Sequence, residues 1–552
     1  MRRLALAHPF SLSQIPQRPE RWALVPWTRG LQEYMRTLLR LDDNTAISRD
    51  AIAAPERPNR IILASNRGPL EYHFDEDGRL EASGGNGGVA TALTSLVPFG
   101  DFVWIASAMT DGDRAMAREG RFRAQIGDHH CRQRFVALPS RTYHRYYGIF
   151  SNPVLWFLQH SLWSSLRPNL AGQIRRSWED GYLPANRAFA RAVVDEVERG
   201  DGRPYVMIQD YHLYLCPAYV RQMAPDIILQ HFLHIPWPGP EVWSRLPRDI
   251  VEAICASLLS ADVVGFQTDV SANNFVLTCQ RFLPDVAVNA VAGAIVRNGR
   301  LTRVRTYPVS VDVERLREQT LTLEFARYRR DLRRMAGKHT IVRVDRLDPS
   351  KNILGGLDAF ELLLRRHPEL RGDVKMLAFL VPSRNSVPEF RRHAERVWRR
   401  ISEINARFGE SGWTPIEAFA ENNYLQALAG MSLYDVLLVN SLADGMNLVS
   451  KEGPIVNERD GVVVLSTEVG SHRELSEGVL SVVPTDIEGT ADALWVALTM
   501  PEHEKRRRTG LLHRVIAGND LRTWLRRQSE DIEALAGERP SDRRFVAHRR
   551  RR

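Results

Sequence analysis

Short apolar runs alternate with helix-length segments along the chain from Arg60 onward, and this rhythm limits the fold more than any other feature. The first series is Ile61–Ser65, Phe102–Ala106, Tyr205–Gln209, Ile227–Leu233 and Val263–Gln267. After Tyr307-Pro-Val-Ser-Val311 comes a charged helical stretch, Val313–Ala336, and then a second series: Thr340–Asp345, Lys375–Leu380, Pro415–Phe419, Asp435–Asn440, Val462–Ser466 and Leu480–Pro484. Apolar runs of this length read as strands buried on both faces, and helix-length spacers between them read as βαβ crossovers. The expected fold is therefore α/β, with two doubly wound Rossmann-like domains facing across a cleft, over residues 58–312 and 313–535. Residues 1–57 read as an extension with a helical middle, Trp27–Leu41, and residues 536–552 as a disordered basic tail.

A chain of 552 residues that is 44% hydrophobic and 26% charged is long enough for two large domains. Part of the net charge of +9 sits in the terminal His548-Arg-Arg-Arg-Arg552 run. No aromatic platform or nucleic-acid module accompanies that run, which points away from a nucleic-acid partner. Cys131, Cys216, Cys255 and Cys279 lack CxxC spacing and read as reduced core residues of a cytoplasmic protein, without a zinc site or disulfides. No apolar stretch reaches the ~18 residues of a membrane span. The opening Met-Arg-Arg soon meets His8-Pro9, which breaks a secretory core.

Two loops carry candidate chemistry. Asp444-Gly-Met-Asn-Leu-Val-Ser-Lys-Glu452 follows the apolar run Tyr434–Asn440 and leads into a helix from about Asn447, with Glu452 expected two turns in. Ligands collect at such strand-to-helix turns, where free backbone N–H groups bind anions or hydroxyls. Arg343-Val-Asp-Arg-Leu-Asp-Pro-Ser-Lys-Asn352 lies between the Thr340–Val344 run and an amphipathic helix, Ile353–His367. Its Arg346 offers a planar fork and its Lys351 a mobile point charge, a pair suited to a diphosphate whose charge grows as it leaves. Each loop alone is a common surface pattern; together they suit a nucleotide sugar.

With further motifs in order, these loops identify a resemblance to the trehalose-6-phosphate synthase family of retaining glycosyltransferases, from Arg60 to about Glu530. The motifs are Ser65-Asn-Arg-Gly-Pro69, Gly84-Gly-Asn-Gly-Gly88, Tyr147-Gly-Ile-Phe-Ser-Asn-Pro-Val-Leu-Trp156, Gln209-Asp-Tyr-His-Leu213, His234-Ile-Pro-Trp-Pro238, Gly265-Phe-Gln-Thr268, Val381-Pro-Ser-Arg384 and Gly412-Trp-Thr-Pro415. The resemblance implies the GT-B arrangement, with the donor held mostly by the second half and the acceptor by the first. It also implies a last helix, Leu521–Leu535, packed back on the first half. The implied reaction makes α,α-trehalose 6-phosphate from a nucleoside diphosphate glucose (UDP-glucose or GDP-glucose) and glucose 6-phosphate, with no metal or other cofactor.

By position, Arg346 and Lys351 resemble the family's diphosphate clamp. His234 resembles a residue close to the donor sugar, and Asp210 an acceptor-side carboxylate; Asp210 could equally cap the helix that follows it. Gly87 and Gly88 match the loop that approaches the donor. Asp444 with Gly445, Met446 and Asn447 matches the grip on sugar hydroxyls, Leu448 and Val449 offer backbone groups, and Glu452 matches the ribose ligand. Arg67, Tyr147, Trp156 and Arg384 match the acceptor-phosphate set. The chain departs from the family at Pro349 and Asn352, where Tyr and Gly are common, and near Ser107, where a tryptophan is common. The motifs leave open the donor base, the oligomeric state (a homo-oligomer included), and two rivals: a cyclitol-coupling pseudo-glycosyltransferase and a non-catalytic sugar-phosphate-binding regulator.

Overall fold

The computed structural model describes residues 60–84, 93, 102–126, 129–166, 168–200, 204–289 and 293–537. The Gly87 and Gly88 loop, the extension over 1–57 and the tail from 538 lie outside the described residues.

Two sheets organise the chain, and both belong to one compact unit, Asn59–Arg552. The second is the simpler. Its six parallel strands run in the order Ile416–Phe419, Val374–Val381, His339–Arg346, Val436–Val439, Val462–Ser466, Leu480–Val482. The chain winds outward from His339–Arg346 in one direction and then in the other, so a topological switch point lies between that strand and Val436–Val439. All six strands coincide with the expected runs to within a few residues, because strands covered by helices on both faces are apolar throughout.

In the first sheet ten strands are paired. Its parallel centre runs Arg300–Thr306, Val263–Phe266, Ile228–Phe232, Tyr205–Gln209, Ile61–Ala64, Phe102–Ser107, His129–Val136. Tyr205–Gln209 and Ile61–Ala64 mark the matching switch point. Antiparallel strands close both edges, and a separate hairpin pairs Leu70–Phe74 with Leu80–Gly84. These additions alternate apolar and polar residues weakly, so they do not stand out as apolar runs. The charged stretch after Val311 divides into two helices, Val313–Thr320 and Leu323–Met335.

The last helix, Leu521–Gly537, returns to the first sheet. Trp524 is 2% exposed, meets Phe232 edge-on at 5.7 Å and donates its indole N–H to the Tyr307 carbonyl at 3.1 Å. Gln528 accepts a hydrogen bond at 3.0 Å from Gln230 inside the Ile228–Phe232 strand. The four cysteines are unpaired and buried, and no described helix is long and apolar enough to cross a membrane.

Replacing Trp524 by Ala removes this anchor, and the expected cost is about 3–5 kcal/mol. Urea unfolding followed by circular dichroism measures it; a loss under ~1 kcal/mol would show that the helix holds without the ring.

Candidate active site

The candidate site lies where the carboxyl ends of both sheets' switch-point strands meet. In the second half, Arg346 ends one of the two central strands and Lys351 lies in the turn beyond it; Asp444 follows the other. Lys351 Nζ sits 2.5 Å from Asp444 Oδ2, and Asn447 Nδ2 donates to the same oxygen at 3.1 Å. Burial works against the Asp444 charge, but Lys351 and the two hydrogen bonds outweigh it and hold the carboxyl below its ordinary range.

Asp348, fully buried, is the second carboxylate of the loop. Its two oxygens meet different cations: Arg346 Nη2 at 2.8 Å and Arg384 Nη1 at 2.9 Å. Burial opposes its charge, yet the two guanidiniums push its carboxyl well below the usual range. Arg346 is 46% exposed at its side chain, so its fork can turn to an anion in the cleft. The loop itself is pinned by Arg343, which is fully buried and donates to Asp345 Oδ2, the Lys351 carbonyl and Asn440 Oδ1.

The departures from the family pattern now have a physical account. Asn352 takes a left-handed backbone (φ 52°), the conformation a glycine would adopt there, and its side chain donates to the carbonyls of Asn440 and Pro484. Pro349 opens the tight turn before it. Ser107, where a larger ring is common, donates to Asn66 Oδ1 at 3.0 Å.

From the first half come Arg67, beyond Ile61–Ala64, Asp210 beyond Tyr205–Gln209, and His234 beyond Ile228–Phe232. Arg67 pairs with Glu71 at 2.8 Å and lies close to the Tyr147 hydroxyl and to the Arg384 guanidinium. Tyr147 and Trp156 sit on a wide π-type helix, His144–Trp156, that contains Pro153. Tyr147 stacks on His212 at 6.0 Å. Trp156 is 1% exposed, with the Arg384 guanidinium 5.4 Å from its ring centre, so its face supports that cation. Arg384 also donates from Nε to Asn152 Oδ1 at 2.8 Å, a hydrogen bond that joins the two halves.

Asp210 does not cap the turn that follows it. Its Oδ1 accepts from the His234 backbone N–H at 3.2 Å, and its own backbone holds φ 70°, ψ 174°, a region that L residues rarely occupy. Burial raises its carboxyl to about 6. Burial also pushes His234 down to about 3, so the ring is a neutral dipole at neutral pH and supplies no cation.

Gly445 explains how the halves close on each other. A Cβ there would stand 1.9 Å from the His234 carbonyl oxygen, so only glycine permits the contact. Met446, at 3% exposure, turns its side chain into the core and leaves only its backbone for a ligand. Asn447 (φ 68°) accepts from the Ser450 N–H, ahead of the helix Val449–Val456. Leu448 immediately precedes that helix, and Val449 opens it. Glu452 therefore lies in the first turn, not two turns in as the sequence suggested, because the loop runs to Leu448 before the helix begins. Tyr424 OH donates to Glu452 Oε1 at 3.0 Å, and burial still raises this carboxyl to about 7.

Asp348, Asn152, Arg343 and Tyr424 were not singled out by sequence reasoning. Asp348 and Arg343 stand inside the cation-bearing loop, where the cations drew attention; Asn152 stands inside the Tyr147–Trp156 motif, where Tyr147 and Trp156 did, and Tyr424 carries no local signal. Among the described residues, no group of three His, Cys, Asp or Glu side chains is placed to hold a metal ion.

Residues 59–534 match the family described as Glycosyltransferase family 20. An α,α-trehalose-phosphate synthase (UDP-forming) of Schizosaccharomyces pombe is 31% identical over 475 residues, which cover 84% of this chain and 88% of that protein. Trehalose-6-phosphate synthase of Mycobacterium marinum is 32% identical over 497 residues, 87% of this chain and 95% of that protein. A probable UDP-forming synthase of Arabidopsis thaliana is 31% identical over 86% of this chain, which spans 56% of the longer plant protein. Among solved structures, a Burkholderia xenovorans UDP-forming synthase in complex with glucose-6-phosphate superposes with a TM-score of 0.75 at 26% identity, covering 86% of this chain and 100% of that one. An E. coli structure bound with UDP-2-fluoro glucose gives 0.74 at 25% identity, covering 86% and 99%.

Arg343→Met would leave the Asp345 carboxylate buried and unpaired, with an expected cost of about 3–5 kcal/mol. An unfolding midpoint in urea equal to that of the wild type would show that Arg343 is dispensable to the loop.

Proposed function

The chain belongs to glycosyltransferase family 20, and on that premise we propose that it moves a glucosyl unit from a nucleoside diphosphate glucose to glucose 6-phosphate with retention, forming α,α-trehalose 6-phosphate. The observation that carries this reading is the chain of charges from Lys351 and Asp444 through Arg346 and Asp348 to Arg384. It sets cations for a diphosphate beside cations for an acceptor phosphate. The UDP-forming relatives favour uracil as the donor base.

In this reading Glu452 takes the ribose hydroxyls, while Asp444 and the Gly445–Asn447 backbone take the glucose hydroxyls. Arg67 and Arg384 fork onto the acceptor phosphate, with the Tyr147 hydroxyl beside them. Asp210, held by the His234 N–H, orients the acceptor hydroxyl. As the bond from glucosyl C1 to the diphosphate oxygen breaks, negative charge grows on that oxygen beside Arg346 and Lys351. The acceptor hydroxyl forms its new bond to C1 on the same face and passes its proton to the departing oxygen. The protein's contribution is positioning and neutralisation, with no protein nucleophile required.

Purified protein incubated with UDP-, GDP- and ADP-glucose against glucose 6-phosphate, glycerol 3-phosphate and an aminocyclitol phosphate tests this reading. Trehalose 6-phosphate is the expected product by mass spectrometry. Its absence from every glucose 6-phosphate mixture would overturn the proposal, and a C–N-linked product would assign the site to cyclitol coupling.

Arg346→Ala is expected to lower turnover by about 10²-fold or more, the scale of one preorganised charge stabiliser; near-normal turnover would remove the residue from the clamp. Glu452 gives a pH dependence. Its carboxyl is raised to about 7 in the free protein, and hydroxyl donors bind the ionised form, so donor affinity should be full above pH 7 and fall as pH drops through it. Calorimetry with UDP-glucose, whose phosphates keep constant charge in this range, should show roughly tenfold weaker binding at pH 6 than at pH 8. Glu452→Gln should flatten the profile; an unchanged profile would place the titrating group elsewhere.

A further inference from the structure

Lys451 takes no part in the reaction above, yet its ammonium is buried at 1% exposure. It pairs with Glu474 at 2.5 Å and donates to the backbone carbonyl of Val309 at 2.9 Å. Val309 lies in the segment that leads from the Arg300–Thr306 strand of the first sheet to the helix Val313–Thr320. Its N–H donates to Gln267 Oε1 at 2.9 Å, from just beyond the Val263–Phe266 strand. One peptide segment between the two sheets is thus held from the second half through its carbonyl and from the first through its N–H.

The bond to Val309 fixes more than the segment. A backbone N–H can only donate, so Gln267 must present Oε1 to it and turn its amide nitrogen the other way. That nitrogen stands 3.3 Å from His234 Nδ1. An amide NH2 only donates, so Nδ1 must be the bare acceptor, and the ring proton is on Nε2. Nε2 faces Gln209 Oε1 at 2.9 Å, which accepts it. The hydrogen-bond order therefore runs without a break from Lys451 through Val309 and Gln267 to a defined tautomer of His234, the residue whose backbone carbonyl meets Gly445 across the cleft.

We propose that Gln267 is a positioning residue for glucosyl transfer: it couples the segment between the two sheets to His234 and holds that imidazole as the neutral Nε2–H tautomer. The coupling rests on the proposed reaction only for its kinetic consequence. The groups facing His234 agree with a neutral ring. Asp210 meets its backbone N–H, Phe232 packs edge-on at 4.7 Å, and His231, also neutral through burial, is the other titratable neighbour. With Nε2–H fixed, the ring keeps its donor aimed at Gln209. Movement of the segment that broke the Val309 bond would free Gln267 to flip and release the tautomer.

The test uses the full chain labelled with ¹⁵N-histidine, the His234 signals being assigned by their loss in His234→Gln. Wild type should show a bare Nδ1 and a protonated Nε2, without titration between pH 6 and 8. In Gln267→Glu the carboxylate can only accept, so Nδ1 should gain the proton and the ring should titrate within reach of neutrality. Gln267→Leu removes the donor and should give mixed tautomers. With substrates, Gln267→Glu should lower kcat about tenfold, the scale of one neutral hydrogen bond, with KM for the nucleotide sugar nearly unchanged and a new ionisation in the kcat profile. A wild-type proton on Nδ1, or wild-type tautomer and kcat in both variants, would overturn the proposal. If the wild type transfers no glucose to any acceptor, the reaction assignment fails, and the imidazole signals still decide the coupling.

Discussion

The whole cleft depends on how its buried charges balance one another. Asp348 is sealed from solvent and would be strongly disfavoured as a lone carboxylate; it is stable because Arg346 and Arg384 each take one oxygen. Lys351 and Asp444 do the same for each other. The cations proposed to bind phosphate are in this way held in place by carboxylates. On that proposal a diphosphate, which carries more charge than either carboxylate, can compete for the more exposed Arg346 fork. Because Arg384 also donates to Asn152 in the first half, the balance sets the approach of the two halves as well as the charge of each loop.

Much of the fold was legible because burial imposes composition. Strands of the second sheet have helices on both faces, so each must be an apolar run, and all six appear in the sequence as such. The antiparallel edges of the first sheet, and the parallel strands His129–Val136 and Arg300–Thr306 next to them, mix polar residues with apolar ones and escaped. At the candidate site, the placement of Arg346, Lys351, Asp444 and Glu452 beyond the ends of central strands was legible, because charged residues that follow apolar runs mark βα loops. Residues that act by holding others were not. Asn152 and Gln267 stand inside motifs the sequence shows, but their partners lie 232 and 42 positions away, so the sequence does not say that these side chains orient distant ones. Met446 stands in the candidate donor loop with its side chain in the core, which is compatible with the expectation that its backbone faces the ligand, since a loop residue's side chain and backbone can serve opposite sides.

Backbone conformation at the site follows the same logic. Of seven non-glycine residues with positive φ among those described, Asp210, Asn352, Arg384 and Asn447 border the cleft. Such conformations cost on the order of 1–3 kcal/mol each and persist only where surrounding structure over-determines them. Here the over-determination is visible. Asn352 is held by two backbone carbonyls, Arg384 by Asp348 and Asn152, Asn447 by Asp444 and Ser450, and Asp210 by the N–H of His234. Each strained residue thus spends its side chain on fixing its neighbours before any ligand arrives. That is the condition under which a site built of mobile Arg and Lys side chains can still be preorganised: the flexible cations are placed by loops whose strained residues are bonded to one another's loops and, at Asn352 and Asp210, to residues just beyond buried parallel strands.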